Sequence, residues 1–122
     1  GIPPAQIAPF VAQRIGLAKA RRIMLTAARF TGKEAFEMGL ADFIAKDAND
    51  LKNIESDIIK GVMNCAPGAN AITKEIVLAT RHLERSEMID FAAKGFAERM
   101  LSDEGREGIA SFIEKRKPKW SK

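Results

Sequence analysis

His82 and Cys65 are the only imidazole and the only thiol in the 122 residues, so a triad built on either has a single possible member. Cys65 closes an apolar stripe that begins at Leu51, where a buried thiol is expected to be inert. His82 falls where a helix should be ending, which suits a solvated or capping role. Among the carboxylates, Glu84 and Glu87 stand three apart on one helix face, as do Asp103 and Arg106. Paired acids can move protons when one lies in apolar surroundings that raise its pKa, and nothing in the sequence places any of these acids so. Metal-ligand spacing and a phosphate-cradling glycine motif are both missing, since Gly105 and Gly108 are too isolated to form one. No catalytic residue, metal site or resident cofactor is therefore expected within this chain. One arrangement could bind a ligand. Phe112 and Lys115 are at i and i+3, so on a helix the ring could pack on a purine while the ammonium meets a phosphate. Spacing alone favours a plainer reading, with Phe112 in the core and Lys115 complementing the helix dipole.

The elements that would carry these residues all read as helices. Ile7, Phe10, Val11 and Ile15 make a first apolar stripe, with Pro9 tolerable near a helix start. Gly16 separates it from Ala20, Met24, Ala27 and Ala28. Thr31 and Glu34 have capping-box spacing for a short helix that Gly39 should end. Leu40 to Ala45 is the one plausible extended piece, too short for a sheet. Leu51, Ile54, Ile58, Val62 and Cys65 form a third stripe up to Pro67-Gly68, and Ile72, Ile76, Ala79 and Leu83 a fourth. Ile89, Ala92, Ala93, Phe96 and Met100 give the most regular i, i+3, i+4, i+7 pattern. A last helix is expected from Ser102 or Asp103 to about Lys117, with acids in its first turn, cations in its last and Pro118 beyond. The expected fold class is all-α, a single helical domain over residues 1–122.

Charge narrows the partners. Lys115, Arg116, Lys117, Lys119 and Lys122 against Glu114 give the tail +4, the whole of the chain's net charge. A nucleic-acid binder spreads its cations over a broad face, so a small local anion fits better and no nucleic acid is expected. No apolar run approaches the ~18 residues of a membrane span, and no membrane partner is expected. A lone cysteine points to a reducing, cytoplasmic setting. The chain opens on Gly1 and not Met, from which a longer parent is expected.

Four segments, in order, resemble the crotonase (enoyl-CoA hydratase/isomerase) family. Gly1 to Val11, with Ile15-Gly16 and Ala20, resembles its G-x-x-P-A-x-I-x-P-Y-V opening. Leu25-Thr26 through Thr31, Ala35 and Gly39-Leu40 resembles L-T-G…A-x-x-x-G-L-V. Ala66-Pro67 with Thr73-Lys74 resembles the A-P…x-x-K that follows. Ser102 to Pro118 resembles the D-x-x-E-G-x-x-A-F-x-E-K-R-x-P terminus. Two departures, Ala27 for the Gly of L-T-G and Ser111 for the Ala of A-F, are small in size. The P-A-x-I-x-P form most resembles the methylglutaconyl-CoA hydratase group.

The resemblance implies a C-terminal helical region that lacks the family's N-terminal β/α spiral. That spiral carries the oxyanion amides and both catalytic glutamates, which would fall upstream of Gly1. It implies a coenzyme A thioester as substrate, and a homo-oligomer, trimer or dimer of trimers. It also implies CoA contacts from Phe112 and Lys115 and an acyl-pocket wall from Ile2, Pro3, Ile7 and Phe10. The leading reading is part of an enoyl-CoA hydratase, a lyase that adds water across a 2-enoyl-CoA double bond; an isomerase, a thioester hydrolase or a stand-alone helical association module are the alternatives.

Overall fold

The computed structural model describes residues 1–121. Among them are seven helices and no strand: α1 (Ala8–Ile15), α2 (Leu17–Leu25), α3 (Gly32–Met38), α4 (Ala48–Met63), α5 (Pro67–Ala79), α6 (Arg85–Met100) and α7 (Asp103–Ile113). The fold is all-α. Residues 40–45 bend without forming a strand. The chain divides into two compact units, Gly1–Ile54 and Glu55–Lys122. Lys122, the last of the tail cations, lies outside the described residues.

In the first unit, α1 packs on α2. Gly16, at a φ of 81° that only glycine adopts freely, turns the chain between them. Ile15, Ala20 and Ile23 are buried, with Val11, Ala12, Met24, Ala28, Met38 and Leu40 packed against them. The α3 start follows the capping chemistry of its sequence. Glu34 N–H donates to Thr31 Oγ1 at 3.3 Å, and Glu34 Oε2 accepts from Thr31 N–H at 2.7 Å. The Thr31 amide, and after it the hydroxyl, hold the Glu34 carboxyl below its usual range. Gly39 ends α3 in the left-handed conformation, as expected.

Ala27 differs from its expected place on the α2 stripe. It stands past the end of α2 at a φ of 48°. Ala27 N–H donates to the Met24 carbonyl at 3.4 Å and Ala28 N–H to the Ile23 carbonyl at 2.9 Å, a Schellman closure with alanine where glycine is favoured. A Cβ in the left-handed region costs about 1–2 kcal/mol, partly offset because glycine loses more freedom on folding. Ala27→Gly is therefore expected to stabilise the protein by about 0.5–1 kcal/mol, read as a higher denaturant midpoint at unchanged slope. An unchanged or lower midpoint would show that the backbone here is not strained.

In the second unit, α5 packs on α6 and α6 on α7. Small residues make these crossings. A Cβ on Gly95 would sit 2.8 Å from Ile72 Cγ2, so α6 approaches α5 closely there. The inward side of α6 consists of Met88, Ala92, Gly95 and Arg99, while Ile89, Ala93, Phe96 and Met100, most of the expected stripe, face outward. Cys65 is exposed, not core. The α4 helix stops at Met63, two residues before it, and its Sγ–H donates to the Gly61 carbonyl at 3.4 Å. Finally, α7 ends at Ile113, four residues short of the expected Lys117.

Candidate functional site

The end of α7 gathers the residues whose types could hold a ligand. Its start is fixed by Ser102, whose Oγ accepts from Gly105 N–H at 3.1 Å and donates to the Arg99 carbonyl at 2.7 Å. Glu104, in the first turn, reaches the start of α5 and accepts from Gly68 N–H at 2.8 Å. The packed side of α7 is Glu104, Gly105, Gly108 and Ser111, with Ser111 buried and donating to the Gly108 carbonyl at 2.9 Å. Its outward side carries Ile109, Phe112 and Ile113. Phe112 is 86% exposed, so the plain reading of it as core does not hold.

Lys115 is not on a helix face with Phe112. It follows the C-cap Glu114 at a φ of 53°, a left-handed residue that breaks the i, i+3 geometry. Its N–H donates to the Phe112 carbonyl at 3.3 Å, and Arg116 N–H donates to the Ser111 carbonyl at 3.0 Å. These two bonds are again a Schellman closure, here with lysine in the glycine position. The ring and the ammonium still leave the same helix end. Among the described residues no hydrogen bond or ion pair takes up the Lys115 ammonium.

Glu107 organises the chain beyond. Both its oxygens accept from the Arg116 guanidinium, at 2.6 and 3.1 Å, and Oε1 also accepts from Lys119 N–H at 3.0 Å. The Lys119 ammonium stands 3.7 Å away, and Arg116 Nε donates to Glu114. The Glu107 side chain is only 13% exposed. From Lys119 the chain returns to Asn64: Trp120 Nε1 donates to its carbonyl at 3.1 Å, and Ser121 Oγ to its Oδ1 at 2.8 Å. Gly108 makes room for the indole, since a Cβ there would be 3.3 Å from Trp120 Cη2. Arg116 and Lys119, two of the tail cations expected to face an external anion, are thus engaged within the unit. Sequence reasoning did not single out Glu107, because its partner is nine residues away and off any helical spacing.

The Arg116 guanidinium, helped by the Lys119 amide, holds the Glu107 carboxyl at about 2, down from 4.5, against the upward push of burial. Arg116 is shifted up in turn by Glu107 and Glu114. A carboxyl depressed by folding lends stability that is complete above its unfolded value and lost as pH falls towards its folded one. The contribution of Glu107 should therefore disappear between about pH 4.5 and pH 2. Glu107→Gln should flatten that part of the stability curve, followed by denaturant midpoints at falling pH. An acid limb identical to that of the parent would contradict this.

The other expected residues are placed as follows. Ile2 is 95% and Phe10 71% exposed, while Pro3 and Ile7 share a shallow concavity of about 240 Å³ with Pro4, Ala5 and Gln6. On α1, Ala8, Val11, Ala12 and Ile15 face the packed side, leaving Ile7 and Phe10 on the open one. The larger hollow of the first unit, about 470 Å³, contains none of the expected residues. Lys19 on its wall donates to the Met38 carbonyl at 3.1 Å. His82 is exposed in the turn after α5. Glu87 accepts from Glu84 N–H at 3.1 Å and Asp103 pairs with Arg106 at 2.6 Å, both at helix starts. Among the described residues no helix is long and apolar enough to cross a membrane.

The family model described as enoyl-CoA hydratase/isomerase matches residues 1–122, the full length of the chain. The chain belongs to the enoyl-CoA hydratase/isomerase family. Among solved structures, Pseudomonas aeruginosa AtuE is 48% identical, superposing with a TM-score of 0.96 over 100% of this chain and 47% of its own. An enoyl-CoA hydratase/isomerase from Marinobacter aquaeolei is 38% identical, with a TM-score of 0.95 over 100% of this chain and 46% of its own. In sequence, the peroxisomal Delta(3,5)-Delta(2,4)-dienoyl-CoA isomerase of Arabidopsis thaliana is 31% identical over 88% of this chain and 39% of itself. The chain thus spans less than half the length of each of these proteins.

Proposed function

We propose that this chain is the C-terminal helical part of an enzyme that adds water across the double bond of a 2-enoyl-CoA thioester. In this reading Phe112 and Lys115 hold the adenine and phosphate end of coenzyme A, and Ile2, Pro3, Ile7 and Phe10 line the acyl end. The remaining outward apolar faces meet other subunits in a trimer or dimer of trimers, and the proton-moving carboxylates lie on a preceding segment. Coenzyme A enters as part of the substrate, with no resident cofactor. The reading includes a cytoplasmic setting, supported by the lone, unpaired Cys65.

The observation that carries it is the end of α7. An aromatic ring left 86% exposed beside a chain turn that presents an unengaged ammonium suits a purine and a phosphate. The outward apolar side of α6 favours a second reading, a helical association module without enzymatic role. Light scattering and kinetics on the complete polypeptide separate the two, since a module would assemble without turning over any enoyl thioester.

Lys115→Ala in the complete polypeptide is expected to raise KM for an enoyl-CoA about five- to tenfold with kcat nearly unchanged, as for a contact equally strong in ground and transition states. An unaltered KM would remove Lys115 from the binding site.

A further inference from the structure

Lys115 depends on something to keep it where it is. Its left-handed backbone is one that side-chain-bearing residues rarely hold, and the glycine that would hold it without strain is missing. The residue after it is pinned twice. The Arg116 N–H closes onto the Ser111 carbonyl at 3.0 Å, and the Arg116 guanidinium is gripped by both oxygens of Glu107 at 2.6 and 3.1 Å. Glu107 then takes the Lys119 N–H at 3.0 Å, so the carboxylate ties together two points of the chain that follow Lys115. Gly108 admits Trp120, whose indole N–H anchors the same segment to Asn64 at 3.1 Å. Glu107 itself is 13% exposed, turned away from the solvent that Phe112 and Lys115 face.

We infer that Glu107 is a positioning residue for coenzyme A recognition: through Arg116 and Lys119 it locks the turn that presents the Lys115 ammonium at the Phe112 end of α7. Glu107 touches no ligand. It sets the affinity for the nucleotide end of the substrate and leaves the acyl end alone. Such a clamp gives preorganisation, because an ammonium on a free turn would have to be ordered on each binding event. This inference rests on the reading of Phe112 and Lys115 as coenzyme A contacts.

The test uses the complete polypeptide and two substrates with the same acyl group, an enoyl-CoA and an enoyl-pantetheine thioester that lacks the nucleotide. Glu107→Gln should raise KM for the enoyl-CoA about three- to fivefold, less than the loss of the Lys115 contact itself, with kcat within about twofold. The kcat/KM for the pantetheine thioester should stay within about twofold of the parent. The ratio of the two kcat/KM values does not depend on the fraction of folded enzyme, so a general loss of structure cannot imitate the result. Adding Glu107→Gln to Lys115→Ala should have no further effect on that ratio, because Glu107 works through Lys115. Equal losses on both substrates, or full additivity in the double variant, would overturn the inference. A sensitive Lys115→Ala beside an insensitive Glu107→Gln would overturn it and leave the binding reading standing. A Lys115→Ala without effect on the ratio would bring down the binding reading and this inference together. Should Glu107→Gln not accumulate, Arg116→Gln, the other half of the pair, is read by the same ratio.

Discussion

Purified alone, residues 1–122 are expected to hydrate no 2-enoyl-CoA thioester above the solution rate. Hydration asks for a base to activate water, an acid to deliver a proton and donors aimed at the developing enolate oxygen. Several carboxylates of this chain are committed elsewhere, and others, Glu55, Glu75, Asp90 and Glu98 among them, are exposed. Glu34 caps α3, Glu87 caps α6, Glu104 holds the start of α5, and Asp103 pairs with Arg106. Glu107 is held by Arg116 and Lys119 at about 2, away from the neutral range in which a general acid must work. In the proposed reading both glutamates and the oxyanion amides lie on a segment before Gly1. Losing one oxyanion donor alone costs ~10²–10³ in rate, and general acid–base groups are worth ~10²–10⁴ more. The measurement is loss of enoyl-thioester absorbance, with the complete polypeptide as positive control. Turnover that scales with the amount of the 122-residue protein would mean that a competent acid–base pair lies within it.

What was legible in the sequence was mostly local. The Thr31–Glu34 capping box, the glycine stop at Gly39 and the start of the last helix at Ser102 or Asp103 are written in a few adjacent residues, and each forms as read. The fold class follows from them. The direction in which each apolar stripe points was not legible, because periodicity aligns side chains on a face without saying what covers that face. On α6 the regular pattern marks mostly the outward side, while Met88, Ala92, Gly95 and Arg99 make the packing. On α7 Ile109, Phe112 and Ile113 face out while Gly105, Gly108 and Ser111 make the contacts. Small residues let backbones approach, and the large ones are left for other surfaces. The chain exposes 10016 Å², where two compact bodies of half its mass would together expose roughly 7,800 Å². Two details of the candidate site were hidden for a related reason. Lysine gives no signal for a left-handed turn, and the Glu107–Arg116 pair is made by a chain reversal that no helical spacing contains. Cys65 was misplaced because α4 ends two residues before it.

Gly105→Ala should cost about 3 kcal/mol or more, the upper range for forcing an extra methyl into a packed contact. The cause is the closeness of two backbones. A Cβ on Gly105 would run into the Arg99 carbonyl oxygen and stand 2.9 Å from that of Met100, at the end of α6. Those oxygens cannot step aside. The Arg99 carbonyl accepts from Ser102 Oγ, which in turn accepts from Gly105 N–H, so the turn between α6 and α7 is closed on itself. Relief would require α7 to lift from α6, carrying the Glu104 bond to Gly68 with it. Gly61→Ala is the matched control. Gly61 lies inside α4 with nothing within 4 Å of its would-be Cβ, so alanine there should stabilise by about 1 kcal/mol through helix propensity. Denaturant midpoints of the two variants should therefore move in opposite directions from the parent. Midpoints that moved together would show that α6 and α7 do not approach closely enough at Gly105 and Arg99 to exclude a methyl, and that the close packing of small residues is not what holds the second unit.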